Sequence, residues 1–162
     1  MQELLSQDLS ILLRVAAAMA FGGVLGFERE LGRHTAGLRT HMMIAGAAAL
    51  IVSLGHIVAQ DFAQTPYREL LRVDPVRLIE AVVAAVGFVG AGAILRAGGR
   101  DRVRGLTTAS SLLMAAAIGI AAGLGNYLLA FGASVLSVLV LAVLHRVEGG
   151  MRKRDRKDAA AG

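Results

Sequence analysis

The residues best equipped for chemistry crowd into one short stretch. "ERELGRHTAGLRTH", residues 28–41, holds Glu28, Glu30, Arg29, Arg33, Arg39 and two histidines, His34 and His41, between long apolar runs. A second basic stretch, 96–104, carries Arg96, Arg100, Arg102 and Arg104 with Asp101. Together they set seven arginines against three carboxylates. A magnesium site takes one or two carboxylates plus water, so an arginine majority disfavours a bare cation here. Positive charge beside a helix start suits an anion instead: a phosphate, a lipid headgroup or a nucleotide. "AGLRTH" and "RGLTTA" both place Gly-Leu ahead of hydroxyl residues, and Thr40, Thr107 and Thr108 suit the capping of such starts. The candidate polar or anion site is therefore Glu28, Arg29, Arg39, Thr40, Arg104, Thr107 and Thr108. The competing reading is electrostatic closure, with Glu28 neutralising Arg39 or Arg104.

Other chemistries find less support. The chain contains no cysteine, which removes disulfides, thiolate metal sites and cysteine nucleophiles. The four histidines have no partners at ligand spacing, so neither zinc nor any other metal site is expected. No carboxylate pair or Ser/His set makes a recognisable catalytic constellation, and neither an enzyme nor a cofactor is expected. The tail "RKRDRK" lacks interleaved aromatics. It suits anionic lipid headgroups, not nucleic acid.

What positions these groups is a set of apolar elements. Of 162 residues, 56% are hydrophobic and 18% charged, against about 25% charged in soluble domains. The mean hydropathy is +0.63. Runs near the roughly 20 residues needed to cross a bilayer occur at 9–27, 40–59, 78–95, 107–124 and 127–144. The "GLGN" at 123–126 splits what would otherwise be a span of double length. The start has Glu3 and Asp8 where a signal peptide would be basic, so it reads as a span. The expected fold is an all-α integral membrane protein of five helices, with a membrane domain at 1–146 and a basic cytoplasmic tail at 147–162. Segments 28–39, 96–104 and the tail hold 13 of the 17 Lys and Arg. The positive-inside rule then puts the N-terminus outside and the C-terminus in the cytoplasm.

Well inside the spans, Arg14 and Glu80 are the ionisable residues; they could pair at similar depth, which is the expectation here, or Arg14 could simply snorkel. Gly22 and Gly26, and Gly87, Gly90 and Gly92, are expected to let helices pack closely and to favour a homo-oligomer. "AGLRTHMM" (36–43) and "RGLTTASS" (104–111) each follow a glycine-rich span. That suggests two hairpins related as a parallel repeat, with a fifth helix outside it.

"GVLGFERELGRHTAGLRTH", "GFVGAGAILR" and "VRGLTTASSLLMAAAIGIAAGLG" resemble, in order, the signature blocks of the MgtC/SapB membrane proteins. Asp74, Pro75 and Arg77 resemble the lead-in to the second block. The resemblance implies a bacterial inner-membrane protein connected with growth in low magnesium, phosphate balance or stress adaptation, and with virulence. It also implies a membrane-protein partner, the ATP synthase being the one ascribed to a family member. The sequence departs from the virulence-type members: a short basic tail stands in place of their C-terminal soluble domain, Thr107 in place of Asn and Met114 in place of Cys. The expected function is a non-enzymatic regulator acting through membrane partners. The alternative is a small magnesium transporter.

Overall fold

The computed structural model describes residues 2–63, 74–97 and 105–158. Five helices run in order: α1 Gln2–Leu31, α2 Leu38–Ala63, α3 Pro75–Ala97, α4 Leu106–Gly123 and α5 Tyr127–Asp158. Hydrocarbon offers no partner for backbone polar groups, so apolar runs of this length must satisfy them as helices. Four of them are long and apolar enough to cross a membrane: Leu5–Leu31, Leu38–Gln60, Val76–Leu95 and Leu106–Gly123. The apolar part of α5, Tyr127–Val143, is shorter. The chain is thus a multi-pass membrane protein. The helical backbone of α5 continues to Asp158, so the tail boundary expected at 146/147 falls inside a helix.

Local chemistry sets the helix ends. α1 closes with His34 N–H donating to the Arg29 carbonyl at 3.1 Å and Arg33 N–H donating to Glu30 at 3.0 Å. Arg33 takes the left-handed conformation of such an ending, at φ 53°. The "GLGN" break is built the same way. Asn126 N–H reaches the Ala121 carbonyl at 2.8 Å, Gly125 N–H reaches Ala122 at 2.9 Å, and Gly125 sits at φ 83° where a side chain would be strained. α3 starts on Asp74, whose carboxylate accepts the Val76 N–H at 2.9 Å with Pro75 in the first helical position.

The centre is a triangle of α1, α2 and α4. α5 leans on α1 and α4, α3 on α4 and α2, and α4 alone touches every other helix. The core is small: Ala18, Ala45, Ala49, Ala115, Ala122 and Ala130 surround Leu25 and Ile118. These residues let backbones meet, which is how helices associate in lipid, where apolar area alone gives no preference. Ala45 is held from both sides, by Gly22 of α1 and by Gly119 of α4. Gly26 lies against Leu38 and His41, and Gly123 against the Ala49 backbone.

Two of the five expected packing glycines meet no other helix of the chain. Gly90 abuts Ala109, but Gly87 and Gly92 have nothing within 4 Å of where a side chain would begin. They lie on the outer side of α3, beside the exposed Phe88. The glycines missing from the expected set are Gly119 and Gly123. The two hairpins do share one local device: Gly26 faces His41 and Gly90 faces Ala109, each the fourth residue of its helix.

Candidate functional site

A buried polar cluster joins α1, α2 and α4 at the end of the bundle formed by the 28–41 elbow. Its construction begins at the turn. The Glu30 carboxylate accepts the backbone N–H of Leu38 at 3.0 Å, so a side chain from the end of α1 caps the start of α2. Gly37 lies directly under that carboxylate, where a β-carbon would collide with it. One turn into α2, His41 is fully buried. Its Nδ1 lies 2.8 Å from the Gly37 carbonyl oxygen, and its Nε2 lies 3.0 Å from Ser111 Oγ on α4. Ser111 Oγ in turn lies 2.8 Å from the Thr108 carbonyl oxygen. Ser111 and Thr108 are themselves buried.

Beside this chain stand two charges. Arg29 is 3% exposed, its Nε buried without a hydrogen-bond partner, and Glu28 Oε2 is likewise buried and unpartnered. The fields of Arg29 and Glu28 both reach His41, with opposite sign. Orphaned polar atoms this deep are unusual and cluster where a protein does more than pack.

Of the expected site residues, the structure draws Glu28, Arg29 and Thr108 into this cluster and leaves Arg39 and Thr40 exposed on α2. Arg104 lies outside the described residues. No ion pair joins Glu28 to Arg39 among the described residues. The threonine caps are not formed either: Thr40, Thr107 and Thr108 stand inside the first turns of their helices. α2 is capped by Glu30, and α4 opens on Gly105, at φ 93°, with no side-chain cap. The turn geometry carries each helix start one or two residues upstream of its hydroxyls.

The Arg14–Glu80 pair is not formed. Among the described residues α1 and α3 do not touch, and Glu80 is exposed. Arg14 instead donates from Nη1 to the carbonyl oxygen of Gly123 at 2.9 Å. Ser53 Oγ donates to the same oxygen at 3.2 Å. A guanidinium at a helix C-terminus meets both an unsatisfied acceptor and the negative end of the dipole.

Ser111 escaped the sequence reading, and Glu30, Gly37 and His41, though part of the elbow it singles out, were not assigned to the site. The Gly37–His41 spacing of one helical turn was visible, but Ser111 is 70 residues from His41. A groove of about 540 Å³ also opens between α1, α4 and α5, with Leu25, Thr107, Ser111, Met114, Leu136 and Val140 among its walls. Ser111 thus borders both the groove and the histidine. Among the described residues, no three His, Asp or Glu side chains gather as a metal site would require.

The family model described as "MgtC family" matches residues 15–149. The chain is 37% identical over 136 residues to a protein of Escherichia coli K12 named "Putative magnesium transporter YhiD", covering 84% of this chain and 61% of that one. It is 39% identical over 133 residues to "Protein SapB" of Bacillus subtilis, covering 82% and 55%. An uncharacterized protein of Haemophilus influenzae is 38% identical over 133 residues, covering 82% and 53%. The chain spans between about half and three fifths of the length of these relatives. No solved structure gives a significant match.

Proposed function

The chain belongs to the MgtC family, and from that premise we propose that it is a non-enzymatic regulator in magnesium or phosphate homeostasis. It sits in the bacterial inner membrane with its N-terminus outside, and it acts through membrane partners, not by carrying magnesium itself. One observation carries this reading. Between the cluster at His41 and the link at Ser53 and Gly123, the α1–α2–α4 triangle is apolar, and the one buried polar side chain that α5 brings to it, Ser134, donates to the Phe21 carbonyl at 2.8 Å. Residues 42–52 of α2, 112–122 of α4 and 15–27 of α1 contain no polar side chain. The twelve-residue rise from His41 to Ser53, or from Ser111 to Gly123, corresponds to about 18 Å. That length is closed by the tight contacts of Ala45 and Ala49 with Gly119 and Gly123. Magnesium keeps six oxygen ligands in near-ideal geometry and sheds water reluctantly, so a path of alanine, leucine and isoleucine offers it no step. A regulator needs instead an exposed surface, and Arg39 and Thr40 at the elbow and the groove beside α4 supply one.

The test is a flux measurement. Purified protein reconstituted in liposomes loaded with a magnesium-sensitive dye should admit magnesium no faster than empty liposomes. Protein-dependent influx that saturates with magnesium would establish the transporter reading in its place.

A further inference from the structure

We propose that His41 is a proton-binding site whose second proton is held by Ser111 and Thr108. The argument is a count of hydrogens. Three contacts form one chain: His41 Nδ1 to the Gly37 oxygen at 2.8 Å, His41 Nε2 to Ser111 Oγ at 3.0 Å, and Ser111 Oγ to the Thr108 oxygen at 2.8 Å. Both ends are carbonyl oxygens, which only accept. Nδ1 must therefore carry a hydrogen, whatever the state of the ring. In the neutral ring Nε2 is then an acceptor, and the single Ser111 hydrogen must choose between Nε2 and the Thr108 oxygen. Two hydrogens serve three contacts. When Nε2 is protonated the count closes: Nε2–H donates to Ser111 Oγ, and the hydroxyl turns to donate to Thr108. The geometry found is the one that the imidazolium completes.

The surroundings supply the rest of the site. From α1, Glu28 and Arg29 face the ring, and the unpartnered Glu28 Oε2 is a buried anionic oxygen near the charge that His41 acquires. α4 brings only hydroxyls and carbonyls, since its sequence has no ionisable residue. On α2 itself Arg39 is exposed, and among the described residues α5 does not touch α2; of the three charges on α3, Arg77 and Glu80 belong to that helix's opposite end, and Arg96 stands near the end that meets the start of α4. Ser111 also borders the groove, which gives the proton a route. A hydronium or buffer acid in the groove protonates Oγ while the hydroxyl's own hydrogen passes to Nε2. One proton enters: at Oγ a new O–H bond forms as the old one breaks, an N–H bond forms at Nε2, the acid leaves as water or its conjugate base, and Oγ ends neutral. The proton then ties α2 to α4, the one helix in contact with all the others.

The experiment is nitrogen NMR on the full chain, labelled at histidine and held in nanodiscs, across pH 5–8, where an unperturbed imidazole titrates. His41→Gln assigns the signals against His34, His56 and His145. At high pH the ring should show a protonated Nδ1 and an imine Nε2. On acidification both nitrogens should become protonated with the fold retained. A neutral ring protonated at Nε2 would overturn the proposal, and so would an imine nitrogen persisting to pH 5 or a ring doubly protonated at every pH. Ser111→Ala removes the acceptor of the charged form, so the second protonation should need more acid, by on the order of one pH unit. Ser111→Thr keeps the hydroxyl and should titrate as wild type. An unmoved midpoint in Ser111→Ala would show that Ser111 does not hold the proton. None of these readouts depends on whether the protein moves magnesium.

Discussion

Arg14 and Gly123 meet across 109 residues of sequence: the guanidinium of α1 donates to the last carbonyl of α4, 2.9 Å away. The bond anchors the first helix to the end of the fourth at the membrane face opposite the elbow. Arg14→Ala should lower stability by about 1–2 kcal/mol, the scale of a charged hydrogen bond in a half-exposed setting. Arg14→Lys should recover part of the loss, because an ammonium still donates but lacks the fork. Glu80→Ala should change stability by less than about 0.5 kcal/mol, as an exposed site does. Thermal unfolding in detergent checks all three. An equal loss from Glu80→Ala, with the double mutant losing less than the sum, would restore the discarded ion pair.

Gly119 and Gly87 make a second contrast. Both are glycines in apolar helices, but one faces the Ala45 backbone and the other faces open space. Gly119→Ala pushes a methyl group into main chain that cannot yield, and should cost about 2 kcal/mol or more. Gly87→Ala and Gly92→Ala should leave stability unchanged or raise it by up to about 1 kcal/mol, the difference in helix propensity. Melting temperatures of the three purified variants decide the matter. A large loss at Gly87 would mean that the outer side of α3 is covered in the assembled protein.

That contrast also explains what the sequence could and could not disclose. The helices were legible because each apolar run must close its own hydrogen bonds, and the "GLGN" turn because glycine is the residue for its φ. Packing glycines were legible as a class, but not by face: α3 lies at the edge of the bundle and α4 at its centre, and that follows from neighbours, not spacing. Arg14 was rightly marked as needing a partner. The partner was a carbonyl, which every residue possesses, so no side chain signalled it. Thr40 caps nothing because Glu30, from the preceding helix, takes the first N–H of α2, and Thr107 and Thr108 cap nothing because α4 already starts at Gly105, with no side-chain cap. His41 looked isolated because its partner oxygen belongs to a serine in another hairpin.

The proposed topology rests on the basic elbows. Reporter fusions after Leu95 and after residue 150 should read as cytoplasmic, and one after Ala63 as periplasmic. Arg39→Ala should not change these readings, because twelve Lys and Arg would still stand on the inner side. A periplasmic reading at residue 150 would mean that α4 and α5 do not cross separately, against the turn at Gly125.

The last prediction concerns Glu28 and Arg29, neighbours in sequence that each bury a polar atom without a partner. Their opposite charges act on each other as well as on His41. Arg29→Met replaces the guanidinium with an apolar side chain that can follow much of its course, and it leaves the carboxylate as an uncompensated charge beside the histidine. Leaving one of two opposite buried charges uncompensated costs up to about 3–5 kcal/mol, whereas replacing both is often close to neutral. Because Glu28 is only partly buried, the loss in Arg29→Met should fall near the lower figure, about 3 kcal/mol. The double variant Glu28→Gln with Arg29→Met should lose less than Arg29→Met alone. Arg29→Lys should fare little better than Met if the planar group is what fits the site, since an ammonium cannot lie flat between packed helices. Chemical unfolding of these variants, the Glu28→Gln single variant and the wild type in one detergent gives the coupling. Losses that simply add would show that the two charges are independent, and that Arg29 is held by packing alone.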